Sequence, residues 1–237
     1  MARYALADHV FVCVNGEHLV LLDLKEDRYW ALEAAATSGL GPLVGGWPVK
    51  AADDINAAAP TPETQAAIDV LRGRGLLTDG EPPGKDATPV CATVPARELI
   101  MDPQQAADRK AGSWYSFVAA SAQAKIILRT WAFERVIRRV RQRKAALGTA
   151  APLDVERARR LVATFMHHRV FLFSSKNECL YDSLALLEYL ARHAIHADWV
   201  FGVQTRPFAA HCWVQHGDIV FNDTVEHVGG YTPIMVV

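Results

Sequence analysis

The sequence predicts an α+β protein in which a small domain of three strands and one helix precedes a larger domain of helices and an antiparallel sheet. Two observations carry this prediction. Short apolar segments joined by turn residues open the chain, and one capped helix follows them. The last part of the chain begins as a strongly apolar helix and continues as strands. We expect a first domain over residues 1–80, a linker over 81–110 and a second domain over 111–237.

The first domain begins with a predicted β-hairpin. His9–Val14 and His18–Leu24 are apolar segments that flank Asn15-Gly16, a dipeptide typical of tight type I′ turns. A polar turn then leads into a third predicted strand, Arg28–Leu32. These three segments predict a hairpin followed by a third strand.

A single helix completes the first domain. Thr61 is a suitable N-cap, Pro62 fits the first helical position, and Gly73 and Gly75 mark the end. The Pro- and Gly-rich stretch Gly80–Pro95 has little periodicity and is interpreted as the beginning of the linker.

The second domain is predicted to be helical first and strand-rich at its end. Ser113–Leu147 has the pattern of one long helix or two, and Pro152–His168 and Asn177–His193 are further helices. The predicted strands are Trp199–Gln204, His211–Gln215, Ile219–Asn222 and Ile234–Val237.

Composition indicates an ordinary globular protein. Hydrophobic residues make up 51% of the 237 positions and charged residues 22%. The cysteines lack paired CxxC spacing, which argues against a zinc ribbon and a disulfide framework. Neither a secretory signal nor a membrane span is visible, so we expect a cytoplasmic protein with reduced thiols. The four cysteines are Cys13, Cys91, Cys179 and Cys212.

Charge is distributed unevenly along the chain. Residues 1–108 carry 8 basic and 16 acidic side chains, residues 109–169 carry 14 and 3, and residues 170–237 carry 3 and 7. The acidic first segment argues against a nucleic-acid-binding role for that domain. The basic segment Lys125–Lys144 has two interpretations, a solvated helix face or a docking surface for an acidic partner.

Cys179 has the sequence context of an activated thiol. Ser175 and Glu178 have the spacing of a capping box, and Asn177 is an alternative cap. Either cap places Cys179 in the first turn of a helix, where free backbone N–H groups and the helix dipole favour a thiolate. The helix that follows Cys179 is apolar on nearly all sides and is expected to be buried, which would hold the thiol in a fixed position.

A histidine and an aspartate flank a second predicted hairpin. With a three-residue loop, His216–Asp218, Gln215 would pair with Ile219 and His211 would lie directly opposite Asp223. A two-residue loop would shift the register by one and send Asp223 to the other face of the sheet. The predicted pairing of His211 with Asp223 therefore depends on the length of this turn.

These three residues have the types that a thiol enzyme needs: Cys179 as nucleophile, His211 as base and Asp223 to orient the base. The alternative is structural, because free cysteines are often simply buried and His–Asp pairs are common in hairpins. The residues alone leave both interpretations open. By strand alternation, the side chain of Cys212 is expected to point away from the His211 face.

The segment from Glu178 to Asp223 resembles the transglutaminase-like leader peptidases of lasso-peptide biosynthesis. This resemblance implies a transglutaminase/papain-like domain, in which a helix carrying Cys179 packs on an antiparallel sheet carrying His211 and Asp223 as the catalytic triad. It also implies catalysis without a metal or an organic cofactor. The sequence departs from the family pattern in two places: Tyr181-Asp182 replaces a common Pro-Arg pair, and Cys212 replaces the usual alanine. The matching residues are Cys179, Ser183–Leu186, Gly202-Val203, Pro207-Phe208, Ala210–Val214 and Asn222-Asp223.

The N-terminal segment is similar to the winged-helix-like leader-recognition element of systems that modify ribosomally made peptides. In that family an extended leader peptide adds to the third strand and packs on the last helix, which is β-augmentation. The alternative is a DNA-binding winged helix, against which the acidic charge argues. The residues that this resemblance implies for leader binding are Arg28, Trp30, Leu32, Ile68, Leu71 and Arg72.

Together, the two resemblances imply a cysteine peptidase that cleaves a lasso-peptide precursor between leader and core. The freed α-amine of the core would then serve a separate ATP-dependent cyclase, a partner that could also dock on the basic segment. Two alternatives remain, a transglutaminase-like acyl transferase and a non-catalytic leader-binding adaptor. Neither a membrane nor a nucleic acid is expected as a partner.

Overall fold

The computed structural model describes residues 3–49, 60–80, 84–99, 114–146, 148, 152–169 and 179–237. The chain divides into two units, and the predicted α+β class is confirmed. The first unit comprises Met1–Cys91, Val203–Ala209 and Thr232–Met235, and the second comprises Ala92–Gly202, Ala210–Tyr231 and Val236–Val237.

The helices and strands are as follows. The N-terminal part contains β1 (Ala5–Leu6), β2 (Val10–Asn15), β3 (His18–Asp23), β4 (Arg28–Glu33), a 3-10 helix (Ala35–Leu40), α1 (Pro62–Gly73) and β5 (Leu77–Thr78). They are followed by β6 (Arg97–Glu98), α2 (Trp114–Thr130), α3 (Phe133–Ala146), α4 (Val155–Arg169), α5 (Cys179–Arg192), β7 (Asp198–Thr205), β8 (Phe208–His216), β9 (Ile219–Val220), α6 (Val225–Gly229) and β10 (Thr232–Val236). No helix in the described part of the chain is long and apolar enough to cross a membrane.

The three predicted N-terminal strands form an antiparallel sheet in the order β2-β3-β4. Asn15 pairs with His18, so the turn consists of Gly16 and Glu17, one residue later than the Asn15-Gly16 dipeptide suggests. Gly16 has a φ of 57°, and this left-handed conformation is freely open only to glycine. β4 lies at the edge of this sheet.

Helix α1 covers one face of the sheet. Its predicted cap is confirmed, because Thr61 Oγ1 accepts a hydrogen bond from Thr64 N at 3.2 Å and Pro62 follows at the first helical position. Ile68 and Leu71 are 0% and 4% exposed and belong to the core between helix and strands. Burial of such side chains is the main stabilising term for a helix of this length.

The second sheet has the order β10-β7-β8-β9-β6. Strand β6 lies inside the stretch predicted as a linker, and it pairs in parallel with β9. The long helical segment is two helices, α2 and α3, and α5 packs against α2 and α4. The face of α5 that carries Leu184, Leu187 and Leu190 is buried, as its apolar sequence predicts.

Part of the basic segment faces inward. Arg139 and Arg143 both contact Glu188, a side chain of α5 that is only 3% exposed. Lys144 pairs with Asp198 at the start of β7. A buried carboxylate requires such partners, because its desolvation otherwise costs several kcal/mol. These cations therefore help to attach α3 to the rest of the second unit.

Gly202 lies where a larger residue would collide with the sheet. A Cβ at this position would be 2.8 Å from Tyr231 Cβ and 2.9 Å from Trp213 Cζ3. We expect Gly202→Ala to lower the free energy of unfolding by about 1–3 kcal/mol, because neither neighbour can move without disturbing the core. Urea unfolding measures this loss.

Gly73→Ala is the matched control, because a Cβ on this helical glycine would have no neighbour within 4 Å. It should be neutral or slightly stabilising. Equal stability of the two variants would contradict the close packing at Gly202.

Candidate active site

Cys179 is the first residue of α5, and its side chain is partly exposed. The first N–H groups of a helix have no partners within the helix and favour a nearby negative charge. One turn later, Ser183 Oγ donates to the carbonyl of Cys179 at 2.5 Å and ties the first turn together. The predicted caps Ser175, Asn177 and Glu178 lie outside the described residues.

The predicted register of the second hairpin is wrong. Gln215 pairs with Val220 and His216 pairs with Ile219, so the turn has two residues, Gly217 and Asp218, instead of three. Gly217 has a φ of 56° and occupies the first central position, where two-residue hairpins of type II′ carry glycine. On a continued strand this register would send Asp223 to the face opposite His211.

Asp223 nevertheless reaches His211, because the chain leaves the strand before it. The ladder ends after Phe221 N donates to Val214 O at 2.9 Å. Val214 N then donates at 2.8 Å to the side-chain oxygen of Asn222 instead of to a backbone carbonyl. The backbone is thus free to turn, and Asp223 Oδ2 lies 2.5 Å from His211 Nε2.

The orientation of the His211 ring matters for its chemistry. Its Nε2 is engaged by Asp223, and Nδ1 is therefore the nitrogen left for Cys179. The His211 and Asp223 side chains are 15% and 16% exposed, so water screens their interaction weakly. The ring also packs against Tyr231, with centroids 5.2 Å apart and the two ring planes inclined at 40°.

The site favours a thiolate–imidazolium pair. Hydrogen bonding by the Cys212 side chain is the largest effect on Cys179, and together with His211 it lowers the pKa of this thiol to about 4 against the opposing effect of burial. Burial alone would lower the pKa of His211, but hydrogen bonds with Asp223 and Cys179 raise it to about 9. Burial likewise opposes ionisation of Asp223, yet its hydrogen bond with His211 and further donors keep its pKa below the usual range. Between about pH 4 and pH 9 the thiol is therefore ionised and the imidazole protonated.

Cys212 also stabilises the Cys179 thiolate, a role that was not predicted from the sequence. It is 2% exposed, and its Sγ lies 3.3 Å from the Oγ of Ser183 in α5. Strand alternation does turn it away from His211, but towards the helix that carries Cys179. Burial raises the pKa of Cys212 well above its usual value, so this thiol keeps its proton and can donate to the Cys179 thiolate. The available signal was the cysteine at a position where the resembled family has alanine.

Removing this donor should change the acidity of the nucleophile. We expect Cys212→Ala to raise the pKa of Cys179 by about one to two units, since a hydrogen bond to a charged group contributes roughly 1.5–3 kcal/mol. The measurement is the rate of Cys179 alkylation by iodoacetamide between pH 3 and pH 8, followed by peptide mass spectrometry. Cys91→Ala, which removes an exposed cysteine, serves as control and should leave the midpoint unchanged. An unshifted midpoint in Cys212→Ala would exclude the proposed thiol donor.

The residues that depart from the family pattern have structural partners. Tyr181 Oη donates to the Ser121 carbonyl of α2 at 3.1 Å. Asp182 pairs with Arg169 of α4 at 2.8 Å and accepts from Asn222 Nδ2 at 3.4 Å, while burial raises its pKa. Tyr181 and Asp182 thus fasten the first turn of α5 to the neighbouring helices.

The residues predicted to bind a leader fall into two groups. Arg28, Trp30 and Leu32 lie on edge strand β4, and the Arg74 guanidinium covers the Trp30 ring at 3.9 Å. Arg72 is exposed on α1 and pairs with Asp79 at 2.8 Å. Ile68 and Leu71, in contrast, are buried in the core, which removes them from the contact surface. A depression of about 400 Å³ adjoins Arg72 and is lined by Asp69, Arg72, Gly73, Leu77, Thr78 and Asp79.

One cluster has side chains of the kind that bind zinc. Ligand atoms of His211, Asp223 and His227 lie within 4.8 Å of one another. Both histidines, however, direct a nitrogen at Asp223 at hydrogen-bonding distance, and a carboxylate can only accept. We therefore assign this cluster to hydrogen bonding.

One of the comparisons with known proteins found a match. Residues 120–236 match the family model of the transglutaminase-like superfamily, which includes cysteine peptidases. The match runs from within α2 to the end of β10 and contains Cys179, His211 and Asp223. The chain has no significant match among curated proteins or among solved structures. The C-terminal half of the chain is thus a transglutaminase-like domain.

Proposed function

We propose that the protein is a cysteine peptidase that cleaves the leader from a ribosomally made lasso-peptide precursor. The observation that carries the peptidase part is the Cys179 thiolate beside His211, whose far nitrogen is held by Asp223 at 2.5 Å. An ionised thiol beside a protonated imidazole is the resting state that a cysteine nucleophile needs. The lasso-peptide part is supported by the sequence resemblance of both halves of the chain.

In the proposed reaction the Cys179 thiolate attacks the scissile carbonyl carbon. Backbone N–H at the start of α5 donates to the oxyanion, and His211 Nδ1–H gives its proton to the leaving amine of the core. A thioester between Cys179 and the leader remains. His211 then takes a proton from water, the hydroxide attacks the thioester, and the leader leaves as a carboxylic acid.

Edge strand β4 is the proposed dock for the leader. Its hydrogen-bonding edge opposite β3 is paired with no strand of the described residues, which suits β-augmentation. Arg28 is exposed at the start of β4, and the Trp30 side chain is only partly buried. A leader lying along β4 would thus gain main-chain hydrogen bonds and an aromatic contact.

The proposed function is tested with the intact protein and a candidate precursor peptide, sought among the neighbouring open reading frames, in water enriched in ¹⁸O. We expect mass spectrometry to find one ¹⁸O in the new carboxylate of the leader and a free α-amine on the core. A leader joined to an added amine would instead establish acyl transfer. Precursor that is bound but left intact would establish an adaptor.

The dock is tested separately by titrating the intact protein with fluorescent leader peptide. Trp30→Ala should weaken leader binding about tenfold and raise KM with little change in kcat, because the chemical step lies elsewhere. Val94→Ala, at a position 80% exposed in the second unit, is the control and should bind normally. Unchanged leader affinity in a folded Trp30→Ala protein would remove β4 from the proposal.

A further inference from the structure

A second histidine contacts the Asp223 carboxylate. His227 Nδ1 lies 2.9 Å from Oδ1 and 3.0 Å from Oδ2, while Thr224 N donates to Oδ1 at 2.8 Å and His211 occupies Oδ2. Because a carboxylate only accepts, His227 Nδ1 carries a proton. The two nearly equal distances direct this N–H between both oxygens. Rotation of the carboxylate about its Cβ–Cγ bond would break this contact.

The local sequence places His227 there. Thr224 caps the short helix α6, with its Oγ1 accepting from His227 N at 3.2 Å. Asp223 immediately precedes this cap, so the i, i+4 spacing brings His227 back over it. The His227 ring also lies 4.7 Å from the His211 ring and 5.5 Å from the Tyr231 ring, measured between centroids.

We propose that His227 is a positioning residue for the reaction proposed above, on which this inference rests. Its Nδ1–H holds the carboxylate with Oδ2 facing His211 Nε2, and this fixes His211 with Nδ1 towards Cys179. His227 itself touches neither the thiol nor the scissile bond in this role. In metal sites, outer-shell groups that orient the ligands commonly change affinity or activity by a factor of about 10 to 100, and we expect an effect at the lower end of that range here.

Two substitutions separate this role from simple ring packing. His227→Asn keeps an N–H donor at the δ position and loses the ring, whereas His227→Phe keeps a ring and loses the donor. We expect the Asn variant to retain kcat within about threefold and the Phe variant to lose about tenfold in kcat, with KM for the precursor unchanged. His227 is half-exposed, so both proteins should fold, and thermal unfolding checks this.

An NMR measurement that needs no peptide substrate tests the same contact between His227 and Asp223. The proton that His211 Nε2 shares with Asp223 should give a far-downfield NMR signal at pH 6 in the wild type and in His227→Asn. In His227→Phe it should broaden beyond detection, because the freed carboxylate lets the proton exchange with water. The intact chain is used throughout.

The outcomes distinguish the two proposals. The positioning role is overturned if His227→Phe keeps both the downfield NMR signal and the wild-type kcat. It is also overturned if His227→Asn, and not His227→Phe, lowers kcat. The peptidase proposal stands in both cases. If no precursor is cleaved by any variant but the signal is lost in Phe alone, the peptidase proposal fails, and the hold of His227 on Asp223 is supported.

Discussion

Cys179→Ala is expected to abolish precursor cleavage, with kcat falling by a factor on the order of 10⁴ or more. The thioester cannot form without the sulfur, and no other thiol replaces it, since Cys212 is buried with a raised pKa. Folding should be unaffected, because the change removes a single atom from a partly exposed side chain at a helix start. Leader binding, proposed for the first unit, should also persist.

The measurement is single-turnover cleavage followed by mass spectrometry, with fluorescent leader binding in parallel. Cys91→Ala is the matched control, because it removes an exposed cysteine in the same way and should leave the rate unchanged. Substantial turnover by a folded Cys179→Ala protein would falsify the mechanism.

His211→Ala is expected to cost about 10³ or more in kcat and to change the acidity of the thiol as well. Without the imidazolium, the pKa of Cys179 should rise from about 4, because the hydrogen bond and the positive charge of His211 are both lost. Wild-type kcat/KM should rise with pH through about 4, as the thiol ionises, and fall through about 9, as His211 loses the proton that the leaving amine needs. In His211→Ala the basic limb should disappear.

Two measurements check this expectation: the pH dependence of cleavage and that of Cys179 alkylation. His167→Ala, which removes an exposed histidine of α4, is the control and should leave both profiles unchanged. A basic limb near pH 9 that survives in His211→Ala would assign that limb to another group. An alkylation midpoint that stays near pH 4 would show that His211 does not stabilise the thiolate.

The regular elements of the fold were predictable because local signals determine them. Thr61 and Pro62 mark the start of α1, and the apolar face of α5 predicts its burial. The register of the second hairpin was not predictable in this way. Gly217 allows a two-residue turn, but a three-residue turn was locally almost as favourable. The hydrogen bond from Val214 N to the Asn222 side chain, in place of a backbone carbonyl, also has no clear signal in the sequence. The proximity of His211 and Asp223 was thus predicted, but from a hairpin register that the structure does not have.

The contacts around the site were harder to predict than the site itself. The contact between Cys212 and Cys179 joins side chains of different elements, and sequence spacing gives no information on such a contact. The i, i+4 spacing of Asp223 and His227 was a usable signal only once a helix after Asp223 was known. Ile68 and Leu71 show the opposite error, since a helix face predicted to bind peptide is instead core.

The buried Glu188 changes how the charge of this protein should be understood. The net charge gives every cation the same weight, but the charges of Arg139 and Arg143 are partly neutralised by the buried carboxylate of Glu188. The electric field outside the second unit is therefore weaker than the sum over residues 109–169 suggests. Salt should screen the exposed Lys125 and Arg129, since the Debye length is about 10 Å at 0.1 M. It should screen the contacts of Arg139 and Arg143 with the buried Glu188 much less. Binding of an acidic macromolecule to this surface would consequently be sensitive to ionic strength, whereas the attachment of α3 would not.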